Sequence, residues 1–114
     1  MPKNNLISNF KSLKSQSTSH FVGEKFVFFE GKDFQSLITQ IAIGTLKGGE
    51  KIPFHSHNSM EEIFYILAGH GIFYIGNEQF NVTQNCCIRV PVAVNHSIQA
   101  TVELKFYYFG VAIK

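Results

Sequence analysis

From Lys25 onward, runs rich in Phe, Ile, Val, Tyr and Thr recur about every eight to twelve residues between Gly, Pro and Asn, and this rhythm limits the fold more than any other feature. It is the pattern of an all-β sandwich or barrel. Strands are predicted near 25–30, 35–46, 52–57, 62–68, 71–76, 79–83, 87–90, 96–101 and 104–112. Gly48-Gly49 supplies one turn, and Gly76-Asn77 marks a hairpin between the 71–76 and 79–83 strands. The punctuation reads as a meander. The runs IFYIL and FYYFGVAI are apolar on both faces, so both faces should be covered, one by the barrel interior and the other by a second sheet or a partner subunit. Residues 1–24 are rich in Asn, Ser and Lys, with Leu6, Phe10 and Leu13 at helix-like spacing, and are read as an arm or a short helix preceding a barrel over 25–114. No internal repeat, linker or second domain is visible.

Within this β pattern, residues 49–69 read GEKIPFHSHNSMEEIFYILAG. Residues i and i+2 of a strand point to the same side, so His55 and His57 can present both imidazoles to one point. Glu62 joins them if the chain turns back as the neighbouring strand. Glu61 and Glu62 face opposite sides, so at most one of the two can do so. Two imidazoles and a carboxylate form a ligand set for one divalent transition metal ion such as Fe, Mn, Ni, Cu or Zn.

The stretch resembles the first motif of the cupin superfamily in its small single-domain form, with Gly49, His55, His57, Glu62 and Gly69 at the family's spacing. The spacing to Gly69 selects Glu62 over Glu61. The second cupin motif falls on residues 85–100, where Pro91 and His96 stand at the expected positions while Asn85, Ala93 and Ala100 replace two glycines and an asparagine. Asn tolerates the left-handed backbone, whereas Ala is strained there, so the turn before His96 is expected to differ from the family's. The resemblance covers about residues 35–113. It implies a small double-stranded β-helix, a jelly-roll-like barrel, with His55, His57, Glu62 and His96 as metal ligands.

If Glu62 faces inward, so do Phe64 and Ile66, and Ile98 and Ala100 share a side with His96, which makes the expected substrate pocket an apolar cup. Arg89 is the only arginine and Asp33 the only aspartate. Phosphorylated substrates, which call for several Arg or Lys donors, are disfavoured. Paired carboxylates for metal-free acid and base work are also missing from this interior. Four protein ligands leave about two positions open on an octahedral ion. The first functional reading is thus a metalloenzyme acting on a small organic molecule. Resemblance to single-domain cupins suggests a dioxygenase, or an isomerase or lyase working next to a carbonyl, with Glu62 as a possible proton carrier. A non-catalytic metal- or ligand-binding module is the alternative from another class, and a sugar isomerase or epimerase without a phosphate grip is a third. Fold alone does not decide between them; a second acid or base within reach of the metal favours the enzyme, and a closed, fully coordinated site the binder.

At 114 residues the chain is one domain that buries about 60 to 70% of its unfolded surface. Its 45% hydrophobic content and twelve Phe are generous for that size, and a homodimer covering spare apolar strand surface is expected. A formal charge of +2 with scattered lysines gives no footprint for nucleic acid. The first residues show neither a signal peptide nor a membrane span, so a cytoplasmic location is the default expectation. Cys86 and Cys87 are adjacent, diverge along a strand and read as small buried apolar residues rather than as a disulfide. His20 and His70 have no partners at ligand spacing and are expected at the solvent-exposed surface.

Overall fold

The structure, a computed structural model, describes residues 6–113. Ten strands form among them: β1 (Gln16–Ser17), β2 (Glu24–Glu30), β3 (Ile38–Leu46), β4 (Lys51–His55), β5 (Met60–Ala68), β6 (His70–Ile75), β7 (Glu78–Thr83), β8 (Cys87–Val90), β9 (His96–Ala100) and β10 (Leu104–Ala112). The expected all-β architecture is present. In the segment read as an arm or short helix, Phe10–Ser12 form one 3-10 turn capped by the Asn9 side chain, and β1 adds to the edge of β2. Residues 1–5 of that segment lie outside the described residues, as does residue 114.

The strands make two antiparallel sheets, one of six strands in the order β1-β2-β3-β10-β5-β8 and one of four in the order β4-β9-β6-β7. This is the double-stranded, jelly-roll-like arrangement and not a meander. Only β1-β2, β2-β3 and β6-β7 pair with the next strand in sequence. Turn residues fix where strands end, whereas pairing is decided by which apolar faces meet. The β6–β7 hairpin is a two-residue turn with Gly76 at φ 60°, and Ile75 pairs with Glu78 across it.

The core lies between the sheets. Phe64, Ile66 and Phe106 from the larger sheet meet Phe73, Ile98 and Ala100 from the smaller one, all buried. The Phe64 ring packs edge-on against Phe73 and Phe106, at centroid distances of 5.2 and 5.7 Å. The doubly apolar runs of β5 and β10 are interior strands of the six-stranded sheet, each paired on both edges. On its outer face, cross-strand rows bring Phe26, Ile43, Tyr107 and Tyr65 together, and Phe29, Ile41, Phe109 and Ile63 beside them. Cys86 packs against the core, while Cys87 on β8 is exposed rather than buried; both thiols are free. Among the described residues no helix is long and apolar enough to cross a membrane.

Two glycine positions of the cupin motif are taken by other residues that adopt a left-handed backbone. Asn85 and Ala93 have φ 75° and 65°, both left-handed. Ala93 thus stands in the left-handed region, the strained conformation anticipated for an alanine in the turn before His96. The Ala93 N–H donates to the His57 carbonyl at 2.8 Å, which ties the strained residue to the site. At Gly69, φ is 83° and any Cβ would overlap the Glu103 carbonyl oxygen, so that position admits only glycine.

Candidate metal centre

His55 is the last residue of β4 and pairs directly with His96, the first of β9. Their ring centroids are 4.2 Å apart. His57 lies two residues past the end of β4, in the turn towards β5, so the expected strand through residue 57 stops short. Its ring still comes within 5.0 Å of His55 and 5.7 Å of His96, held by the His57–Ala93 backbone bond. Glu62 arrives from a different direction than expected. β5 is not the hydrogen-bonded neighbour of β4 but belongs to the opposite sheet, so the carboxylate reaches the histidines across the barrel interior. Its Oε1 lies 3.3 Å from His57 Nε2 and 3.4 Å from His96 Nε2.

One ligand atom from each of His55, His57, Glu62 and His96 falls within 4.8 Å of the other three. Donors on opposite sides of a first-row ion, at bonds of about 2.1 Å, stand about 4.2 Å apart, so the cluster has the size of a coordination sphere. The tautomers fit as well. His55 Nδ1 is 2.8 Å from the Pro53 carbonyl and His96 Nδ1 is 2.9 Å from the Val94 carbonyl. A carbonyl accepts, so each Nδ1 carries the proton and each Nε2 turns a lone pair into the site. His96 is 1% exposed, and its Nε2 has no hydrogen-bond partner. A lone pair facing a carboxylate oxygen at 3.4 Å, away from water, is an arrangement that a cation between them relieves. Burial holds the His55 imidazole below the usual histidine range, against the opposing hydrogen bond to Pro53. A neutral ring is the form that binds a metal.

The centre opens into a cavity of about 170 Å³. Phe64 and Ile98 line it as expected from their faces, whereas Ile66 lies behind the wall with no exposed surface. Tyr108 also lines it, nearly parallel to Phe64 at 5.5 Å. Burial, then the nearby Glu62 charge, raises the Tyr108 hydroxyl to about 12, so it stays a neutral donor at neutral pH. Glu61 points the other way and pairs with Arg89 at 3.8 Å.

His20 is the residue that sequence spacing placed wrongly. It is half-buried, lines the cavity, and has its ring 4.2 Å from that of His55. Burial, then the neighbouring His57, holds its imidazole below the usual range. The Thr18 carbonyl accepts from the Phe21 N–H, and the Thr18 hydroxyl donates to the Val22 carbonyl, closing a tight turn that aims His20 inward and leaves Phe21 exposed. The Thr18-to-Gly23 turn signal is visible in sequence, but its docking on a strand far along the chain is not. His70, by contrast, is exposed as expected.

Fold and site together describe a cupin. The family model described as a cupin domain matches residues 42–109, more than half of the chain, and the chain belongs to that family. An uncharacterized protein of Methanocaldococcus jannaschii is 39% identical over 51 residues, which are 45% of this chain and 41% of that one. The match thus spans less than half of that relative's length. A solved structure from Thermotoga maritima, described as a predicted oxalate decarboxylase, superposes with a TM-score of 0.87 at 18% identity, covering 95% of this chain and all of that one. The ectoine synthase of P. lautus superposes with a TM-score of 0.81 at 13% identity, covering 93% of this chain and 77% of that one. At these identities the likeness is one of fold.

Proposed function

We propose that this protein is a metal-dependent enzyme in which His55, His57, Glu62 and His96 hold one divalent first-row ion, and that it acts on a compact organic molecule presenting adjacent oxygens. The observation that carries the reading is the buried, unpartnered Nε2 of His96 turned towards Glu62 beside an open cavity. A bound ion would supply Lewis-acid or redox chemistry at its open positions, in keeping with a dioxygenase or with an isomerase or lyase acting next to a carbonyl.

The chain's own groups divide the remaining work. His55 and His96 are oriented by their backbone carbonyl partners. Glu62, 6% exposed, is the only carboxylate in the cluster and the group best placed to take up a proton if one of its oxygens is released. Tyr108 offers a protonated hydroxyl rather than a base. His20 is a second titratable group within reach, the feature that favours an enzyme over a closed binding site. Phe64, Ile98 and Phe106 keep water from the inner wall. The names of two structural neighbours, a predicted oxalate decarboxylase and an ectoine synthase, support small-molecule chemistry on this fold.

The test is metal analysis of protein purified without added metals, followed by oxygen-uptake and substrate-depletion screens of the Fe, Mn, Ni, Cu and Zn forms with enediols, diketones and hydroxy acids. One ion per chain, lost in the His96→Ala variant, and turnover abolished by metal removal are expected. Turnover that persists without metal would overturn the reading.

A further inference from the structure

The cavity that holds the histidines is also lined by a lysine. Lys25 on β2 pairs with Gly44 on β3, which pairs with Phe106 on β10, so Lys25 stands in a row that faces the barrel interior. Gln40 lies on that face too, opposite Gly110, the cross-strand neighbour of Glu62. Lys25 Nζ is 3.5 Å from Gln40 Oε1, and both residues line the cavity with the four candidate ligands. Among the described residues no carboxylate lies within ion-pair distance of this ammonium. Glu24 reaches the same rim, but its carboxylate accepts a hydrogen bond from Ser15. The Gln40 amide oxygen is the hydrogen-bond partner of this half-buried ammonium among the described residues, which leaves it donors free for an anion.

From this geometry, and resting on the metal reading above, we propose that the substrate is a compact organic acid. Its adjacent oxygens go to the histidine end, and a carboxylate further along the molecule is held by Lys25 and Gln40. A divalent ion and Lys25, set against the Glu62 and Glu24 carboxylates that also line the cavity, leave a net positive charge, so the cavity favours an anion. Gln40 Oε1 faces the ammonium, which leaves its NH2 to donate to the ligand. One lysine and one amide suit a carboxylate; a phosphate group is usually gripped by more cationic donors. The cavity of about 170 Å³ is below the usual range for drug-sized ligands, which keeps the acid small. Lys25 is thus a specificity-determining residue, one that a reading focused on the single arginine passes over.

The experiment is calorimetric titration of the Zn-loaded full chain with malate, lactate and phosphoglycolate. Malate and lactate share the hydroxy-acid oxygen pair and differ in the second carboxylate. Malate should bind about tenfold or more tightly than lactate. Lys25→Gln should remove that preference, lowering malate affinity far more than lactate affinity and leaving Zn stoichiometry unchanged, and Lys25→Arg should retain most of it. Gln40→Leu, with Lys25 intact, should lower malate affinity by a smaller factor. Equal binding of malate and lactate, an unchanged preference in Lys25→Gln, or tighter binding of phosphoglycolate would overturn the carboxylate subsite while leaving the metal centre standing. Failure of the full chain to take up any first-row metal would overturn both.

Discussion

Glu62 Oε1 stands 3.4 Å from His96 Nε2 across the space between the two sheets, with no hydrogen bond joining them. The carboxylate comes from the six-stranded sheet and the imidazole from the four-stranded one, so a bound ion would also cross-link the two layers. Glu62→Gln should keep the fold, because the amide fills the same volume. It should lower metal affinity by at least the roughly 10- to 100-fold that loss of a supporting contact costs. Metal titration with a competing chelator measures this, and unchanged affinity would remove Glu62 from the ligand set.

His57 tests whether the ion is needed for folding. Its side chain is 30% exposed and sits in a turn, outside the Phe and Ile core. His57→Ala should abolish tight metal binding yet shift the stability of the metal-free protein by only about 0.5 kcal/mol. Circular dichroism and urea melts separate the two effects. Global unfolding of the variant would show that the core does not stand without the ion.

Acid should destabilise the metal-free protein at mild pH. His55 and His20 are both held below the ordinary histidine value of 6.5, chiefly by burial. Above that value both states are neutral and these groups give no pH dependence. Below it the unfolded chain takes up protons that the folded chain refuses, so stability falls as pH drops from about 6.5 towards the lower folded values. Urea melts between pH 7.5 and 5.5 should show the decline, and His55→Gln should flatten it. A flat profile in the wild-type chain would refute the burial argument.

Ala93 is held at φ 65°, which costs an L-residue about 1 to 2 kcal/mol, while glycine loses about 0.5 to 1 kcal/mol more chain entropy on folding. Ala93→Gly should therefore stabilise the protein by about 0.5 to 1 kcal/mol. A loss of stability would mean that the methyl group makes contacts worth more than the strain.

The outer face of the six-stranded sheet points to self-association. Phe26, Phe29, Ile41, Tyr107 and Phe109 keep part of their surface open on it, and Phe10 from the N-terminal segment covers only the Phe26 end, at 5.0 Å. We expect a homodimer through this face, with Phe109→Glu shifting it to monomer. Light scattering at micromolar concentration decides, and a strictly monomeric wild-type mass would sink the idea.

Local chemistry was legible in the chain itself. Turn residues marked the strand ends to within a few positions, as at Gly76-Asn77, and the spacing of His55, His57, Glu62 and His96 singled out four side chains that do converge. Apolar alternation put Phe64 and Ile98 on the cavity side. The turn and alternation signals depend on residues close in sequence, whose geometry a strand or turn fixes by itself, whereas the four-residue set was implied by the resemblance to the two cupin motifs. The tertiary structure decided the rest. It set Glu62 on the sheet opposite His55 and His96, sent His57 beyond its strand, and buried Ile66 behind the cavity wall. It also brought His20 and Lys25, from chain segments far from either motif, to the same cavity. Strand pairing follows from how apolar faces close over one core, a property of the whole chain that no window of residues contains.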